Sequence, residues 1–179
     1  MVEDHSPSKY IEEAQRSYRA GDYAGAAEAY AAAARSYDGQ DPLAAAEMRS
    51  NQSVALLQVN AYREALQVLE GVVEAFSEAG HTRRRAVTLS NRAAALEGAG
   101  RLEEAVAAYR EAADLFEEIG DTEKEQQAMQ ALSAAQLRSR RPMGALTSMI
   151  VSLDRVENPG LLQRWLKKFL EIPLRILNR

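Results

Sequence analysis

Apolar residues recur along most of this chain at intervals of three and four, the spacing of one helical face. Ala26, Tyr30, Ala33 and Tyr37 show the pattern, and Gly, Asn or Pro interrupts it at intervals. The pattern predicts nine helices. The first starts at Ser6-Pro7, a cap followed by a proline whose missing N–H costs nothing, and runs to about Ala20, where Gly21 ends it. The second spans Tyr23 to about Tyr37. The third follows Asp41-Pro42, runs from Leu43 to Val59 and stops at Asn60, a residue tolerant of the left-handed conformation. The fourth covers Tyr62 to Ala79 without a break. Thr82 caps a fifth that ends at Gly100, and a sixth runs from Leu102 to Ile119. Thr122-Glu-Lys-Glu125 has the form of a capping box opening a seventh, out to Ser139. Pro142 opens an eighth, to about Val156, and Asn158-Pro159 a ninth.

The pattern also repeats. A shift of 40 residues places Asn91 on Asn51, Leu96 on Leu56, Ala105 on Ala65, Phe116 on Phe76, Gly120 on Gly80 and Thr122 on Thr82. A period in this range marks a stacked array of helix pairs, whose neighbours bury a core that no pair buries alone. Linkers of two or three residues make paired helices antiparallel. The expectation is an all-α chain: a flexible tail over residues 1–6, repeats at about 7–41, 42–81, 82–121 and 122–157, and a further helical segment over 158–179.

The turn residues Gly21, Asn60, Gly100 and Arg140 are followed at fixed spacing by Ala26, Ala65, Ala105 and Ala145, then by Tyr30, Leu69, Tyr109 and Met149. A larger side chain at those alanines would force the paired helices apart, at about 1–3 kcal/mol. This turn, small residue and large residue resemble the tetratricopeptide repeat (TPR) family, in its long-helix variety with a period near 40, over about residues 8–157. Arg140 is a poor left-handed cap, so the fourth copy is degenerate, and the first is offset by 39.

The resemblance implies an α-solenoid of four helix pairs, a non-enzymatic scaffold whose concave groove receives a peptide. The groove positions it implies are Ile11, Gln15 and Tyr18, then Glu47, Ser50, Asn51, Val54 and Gln58. Val87, Ser90, Asn91, Ala94 and Glu97 follow, and finally Gln127, Gln130, Ala134 and Arg138. Asn51 and Asn91 stand out, because a primary amide donates and accepts at once and can grip a peptide main chain. The alternative is that each bonds only water or a neighbouring helix. Glu47 and Glu97 favour a ligand bearing positive charge. The clamp of Lys, Asn, Asn, Lys and Arg by which some members hold a terminal carboxylate is matched only at Asn51, against Ile11, Gln15, Val87 and Asn91 elsewhere. That activity is therefore not expected.

Composition narrows the remaining classes. There are no cysteines and two histidines, so no thiolate or histidine metal site is expected, nor any cofactor. Glu103-Glu104 and Glu117-Glu118 read as solvated helix faces and His81 as a turn residue, and no phosphate loop or nucleophile motif is present, so no catalytic residue is assigned. Arg83-Arg84-Arg85 is short, and the acidic repeats around it argue against nucleic acid. An acidic, polar start and the lack of a long apolar run favour a cytoplasmic protein, and the Ala/Arg-rich composition suggests a bacterial one.

The net charge of −4 conceals a gradient, from −4 over residues 1–42 to +4 over residues 161–179. That last segment holds ten large apolar residues in nineteen, with Leu162, Trp165, Leu166, Phe169 and Leu170 on one face, Lys167 and Lys168 mostly opposite, and Pro173 breaking the helix. Three roles are open for it: a cap on the solenoid, a basic amphipathic helix on an anionic membrane, or a contact with a partner or second copy through Trp165 and Phe169.

Overall fold

The computed structural model describes residues 6–139. A boundary between Gln136 and Leu137 divides the chain into two units. The eighth and ninth helices expected from the sequence, with Arg140, Ala145, Met149, Trp165, Lys167, Lys168 and Phe169, lie outside the described residues, as does the expected boundary at 157/158.

Within the described residues the chain is helical: α1 (Pro7–Arg19), α2 (Tyr23–Tyr37), α3 (Pro42–Gln58), α4 (Tyr62–Val68), α5 (Val72–Glu78), α6 (Thr82–Gly98), α7 (Leu102–Glu118) and α8 (Thr122–Ser139). The bounds follow from the ends. Gly21, Asn60, Gly80, Gly100 and Gly120 all have positive φ. The residue after each bonds back to the carbonyl five before it, as in Asp22 N–H to Ser17, Ala61 to Leu56, His81 to Phe76, Arg101 to Leu96 and Asp121 to Phe116. This one closure, recurring five times, satisfies carbonyls a helix end would leave unpaired and reverses the chain within two residues.

Two expected caps shift by one residue. Thr82 and Thr122 are the first helical residues rather than the caps. The reversal ends at His81 and Asp121, so these residues flank the helices; the His81 side chain makes no cap bond, whereas the Asp121 carboxylate accepts the Lys124 N–H at 3.3 Å.

The expected single helix from Tyr62 to Ala79 is two. Apolar periodicity runs on through this stretch, but Gly71 takes φ +73 and separates α4 from α5. Glycine is about 1 kcal/mol poorer than alanine inside a helix and adopts the left-handed conformation without steric cost. One repeat later Glu111 holds the equivalent position and α7 is unbroken.

The alanines at the crossings, Ala26, Ala65 and Ala105, are fully buried, and the large residues four on, Tyr30, Leu69 and Tyr109, are buried with them. Clusters of buried residues bridge successive pairs. Tyr30, Ala33 and Met48 join α2 to α3, and Leu69, Val72 and Phe76 close over Ala46 of α3. Leu89, Phe116 and Ala128 join α6, α7 and α8, as do Ala93, Leu96, Tyr109, Leu132 and Ala135. At the end of α6 the Tyr62 ring lies where a Cβ on Gly98 would stand, so only glycine fits there.

Candidate functional site

The first helices of successive pairs, α3, α6 and α8, carry the expected groove residues, and their surroundings differ from one junction to the next. Between α3 and α6 the face is closed. Glu47 pairs with Arg84 at 3.1 Å. Ser50 is only 8% exposed, and its hydroxyl lies 3.1 Å from that of the fully buried Thr88. Ser50 is thus a contact between helices and not an open groove position, a correction to the sequence reading. Glu47 already has a cation, and Glu97 accepts the Tyr109 hydroxyl at 3.1 Å. The two carboxylates expected to attract a positive ligand are therefore engaged within the fold.

Between α6 and α8 the face opens into a cleft of about 310 Å³. It brings together four expected residues, Val87, Ser90, Asn91 and Gln127, with Tyr109, Phe116, Lys124, Ala128 and Ala131. Ser90 donates back to the Ala86 carbonyl at 3.1 Å. Asn91 is half-buried, and its Nδ2 is shielded from solvent with no hydrogen-bond partner. Gln127 accepts from Lys124 Nζ at 3.0 Å and donates to Glu123 at 3.1 Å. Burial holds the Tyr109 hydroxyl above its usual pKa of 10.0, so it stays a protonated donor toward Glu97.

The other expected positions are not part of the cleft. Asn51 is half-buried on α3, Gln58 is exposed at the end of α3, Gln130 is exposed on α8, and Arg138 is exposed in its last turn. In the first pair Gln15 is exposed, while Ile11 packs against the core and Tyr18 sets its ring edge-on to Tyr23, 5.1 Å between centroids.

Four of the five cleft residues the sequence reading missed carry a signal in the same 40-residue register, Phe116 being unchanged from Phe76. Thr88 becomes Ala128 and Asn91 becomes Ala131, so α8 presents methyl groups where α6 presents larger polar side chains. Leu69 becomes Tyr109, Arg84 becomes Lys124, and Glu47 becomes Val87. Arg83, Arg84 and Arg85, for their part, pair with Asp121, Glu47 and Glu111. The basic run thus ties α6 to three neighbouring elements.

Among the described residues no cluster of His, Asp or Glu could hold a metal ion, and no helix is long and apolar enough to cross a membrane. The fold and face define a helical-repeat scaffold for protein interaction. The chain belongs to the soluble NSF attachment protein (SNAP) family, whose model matches residues 4–146. That membership makes it a TPR-like solenoid protein of an adaptor family, with proteins as its partners. No curated protein and no solved structure matches the chain.

Proposed function

We propose that this chain is a cytoplasmic, non-catalytic adaptor that holds an extended segment of a partner protein along α3, α6 and α8, seated at the α6–α8 cleft. The observation carrying the reading is Asn91, a buried amide donor without a partner on the wall of that cleft. An unpaired buried donor costs about 1–3 kcal/mol, and an incoming acceptor oxygen offsets that cost. Asn51, one repeat earlier on the same helix position, extends the grip along the ligand main chain, as in long-helix TPR proteins. The family name denotes attachment to NSF; the reading requires only that the attached partner be a protein.

The test uses peptides selected on the full chain from a random display library, with affinities measured for Asn91→Ala and Asn51→Ala. Asn91→Ala should weaken the selected peptides about tenfold, in line with the loss of one buried hydrogen bond. Asn51→Ala should weaken them less, and neither should lower the melting temperature. Unchanged affinity in the double variant sinks the reading.

A further inference from the structure

The array repeats its packing from one junction to the next, and at the α6–α8 junction one member of a charge pair is missing. Between α3 and α6 the acid is Glu47 and the base is Arg84. One period later the base is retained as Lys124, while the acid has become Val87, 37% exposed on α6. Among the described residues Lys124 is the only charged one lining the cleft, and its ammonium bonds the neutral Gln127 side chain. Two acids near it in sequence have other partners: the Asp121 carboxylate pairs with Arg83, and Glu123 accepts from Gln127. Val87, Phe116, Ala128 and Ala131 supply apolar walls next to that cation, and Asn91 an unpaired donor.

We propose that the cleft receives a partner carboxylate next to a large apolar side chain, so that the ligand supplies the acid the repeat lost at Val87. The proposal rests on the groove reading above and reverses the charge preference that Glu47 and Glu97 suggested. At about 310 Å³ the cleft lies at the small end of ligand sites, which run from about 300 to 1,000 Å³. It therefore suits one anchoring side chain with its neighbouring carboxylate. The carboxylate faces Lys124 and the apolar group lies on Phe116 and Ala128. A partner segment with an aromatic or Leu residue beside Asp or Glu has this chemistry.

The probe is 3-phenylpropanoate, titrated into the ¹⁵N-labelled full chain and followed by backbone amide shifts. The neutral 3-phenylpropanamide and the cationic 3-phenylpropylammonium serve as comparisons. The carboxylate should bind about fivefold tighter than the amide, the scale of a partly exposed ion pair, with shifts at residues 87–91 and 127–131. Lys124→Gln should erase that difference while leaving amide binding in place. Val87→Glu, which restores the acid of the preceding repeat, should abolish carboxylate binding. Equal binding of carboxylate and amide to the native chain overturns the charge preference and leaves the groove reading standing. Tightest binding by the ammonium overturns it as well. Absence of binding by all three overturns the cleft as a receptor, while peptides selected on the full chain still judge the wider groove.

Discussion

The α3–α6 and α6–α8 junctions are built from one frame and reach opposite ends. Phe76 and Phe116 occupy equivalent buried positions, and Leu69 and Tyr109 cover equivalent alanines. At the first junction Thr88 bonds Ser50 and Arg84 pairs with Glu47, so the inner face is filled and neutralised. At the second, the equivalent positions hold Ala128 with Ser90 and Val87 with Lys124, and a cleft remains. Burial of the frame is nearly the same in both. The difference lies in a few side chains on the first helix of each pair, and it shows how a repeat array acquires a site without altering its scaffold.

The largest effects should come from what the junctions share. Phe76→Ala and Phe116→Ala each remove a buried ring, and loss of such a ring costs about 3–5 kcal/mol. Phe116→Ala should fall at the lower end, because that ring already borders the cleft. Urea denaturation of the two variants measures the gap, and a larger loss at Phe116 than at Phe76 would break the comparison.

Exchanging the residues that differ should give smaller effects with opposite causes, a contact removed and bulk added. Thr88→Ala strands the Ser50 hydroxyl and removes a buried contact, so it should cost about 1–2 kcal/mol. Ala128 is buried against Leu89 and Phe116, so Ala128→Thr overpacks the core and should cost about 1–3 kcal/mol. Thermal melts of both variants, run together, check that each exchange destabilises.

The smallest effect is a pH dependence at the alkaline end. Burial raises the pKa of Tyr109 and of Tyr30 above 10.0, so the folded state favours the neutral phenols. Their contribution is complete below pH 10 and is lost as pH rises through the raised values, since the unfolded chain then releases protons more readily. Tyr109→Phe should flatten, without abolishing, the fall in stability as pH rises above 10, because Tyr30 remains. An unchanged slope would show that Tyr109 is not held neutral by its surroundings.

Much of the frame was legible because backbone conformation and close packing each demand particular residues. Gly21, Asn60 and Gly100 mark left-handed turns, and Ala26, Ala65 and Ala105 mark crossings with no room for a larger side chain. Gly71 escaped notice because the apolar periodicity continues across it, and one glycine inside a periodic run does not by itself declare a break. Asn91 was found from its position on the helix. Lys124, Ala128 and Ala131 were not, because a cleft is defined by absent volume and an absent countercharge. Absence is visible only when one copy is laid on the next. Ser50 and Glu47 misled for the same reason: the residue type suited a groove, and the partner that closes it stands about 40 positions away, at Thr88 and Arg84.

The central claim is that the α6–α8 cleft is where a partner segment binds. Affinity of the display-selected peptides for Val87→Trp tests it most directly, since Val87 is exposed on the cleft and a bulky ring there occupies it without entering the core. Binding to Val87→Trp should fall at least about tenfold, with the melting temperature unchanged. Native affinity in a correctly folded Val87→Trp chain would contradict the account and move the site away from the cleft.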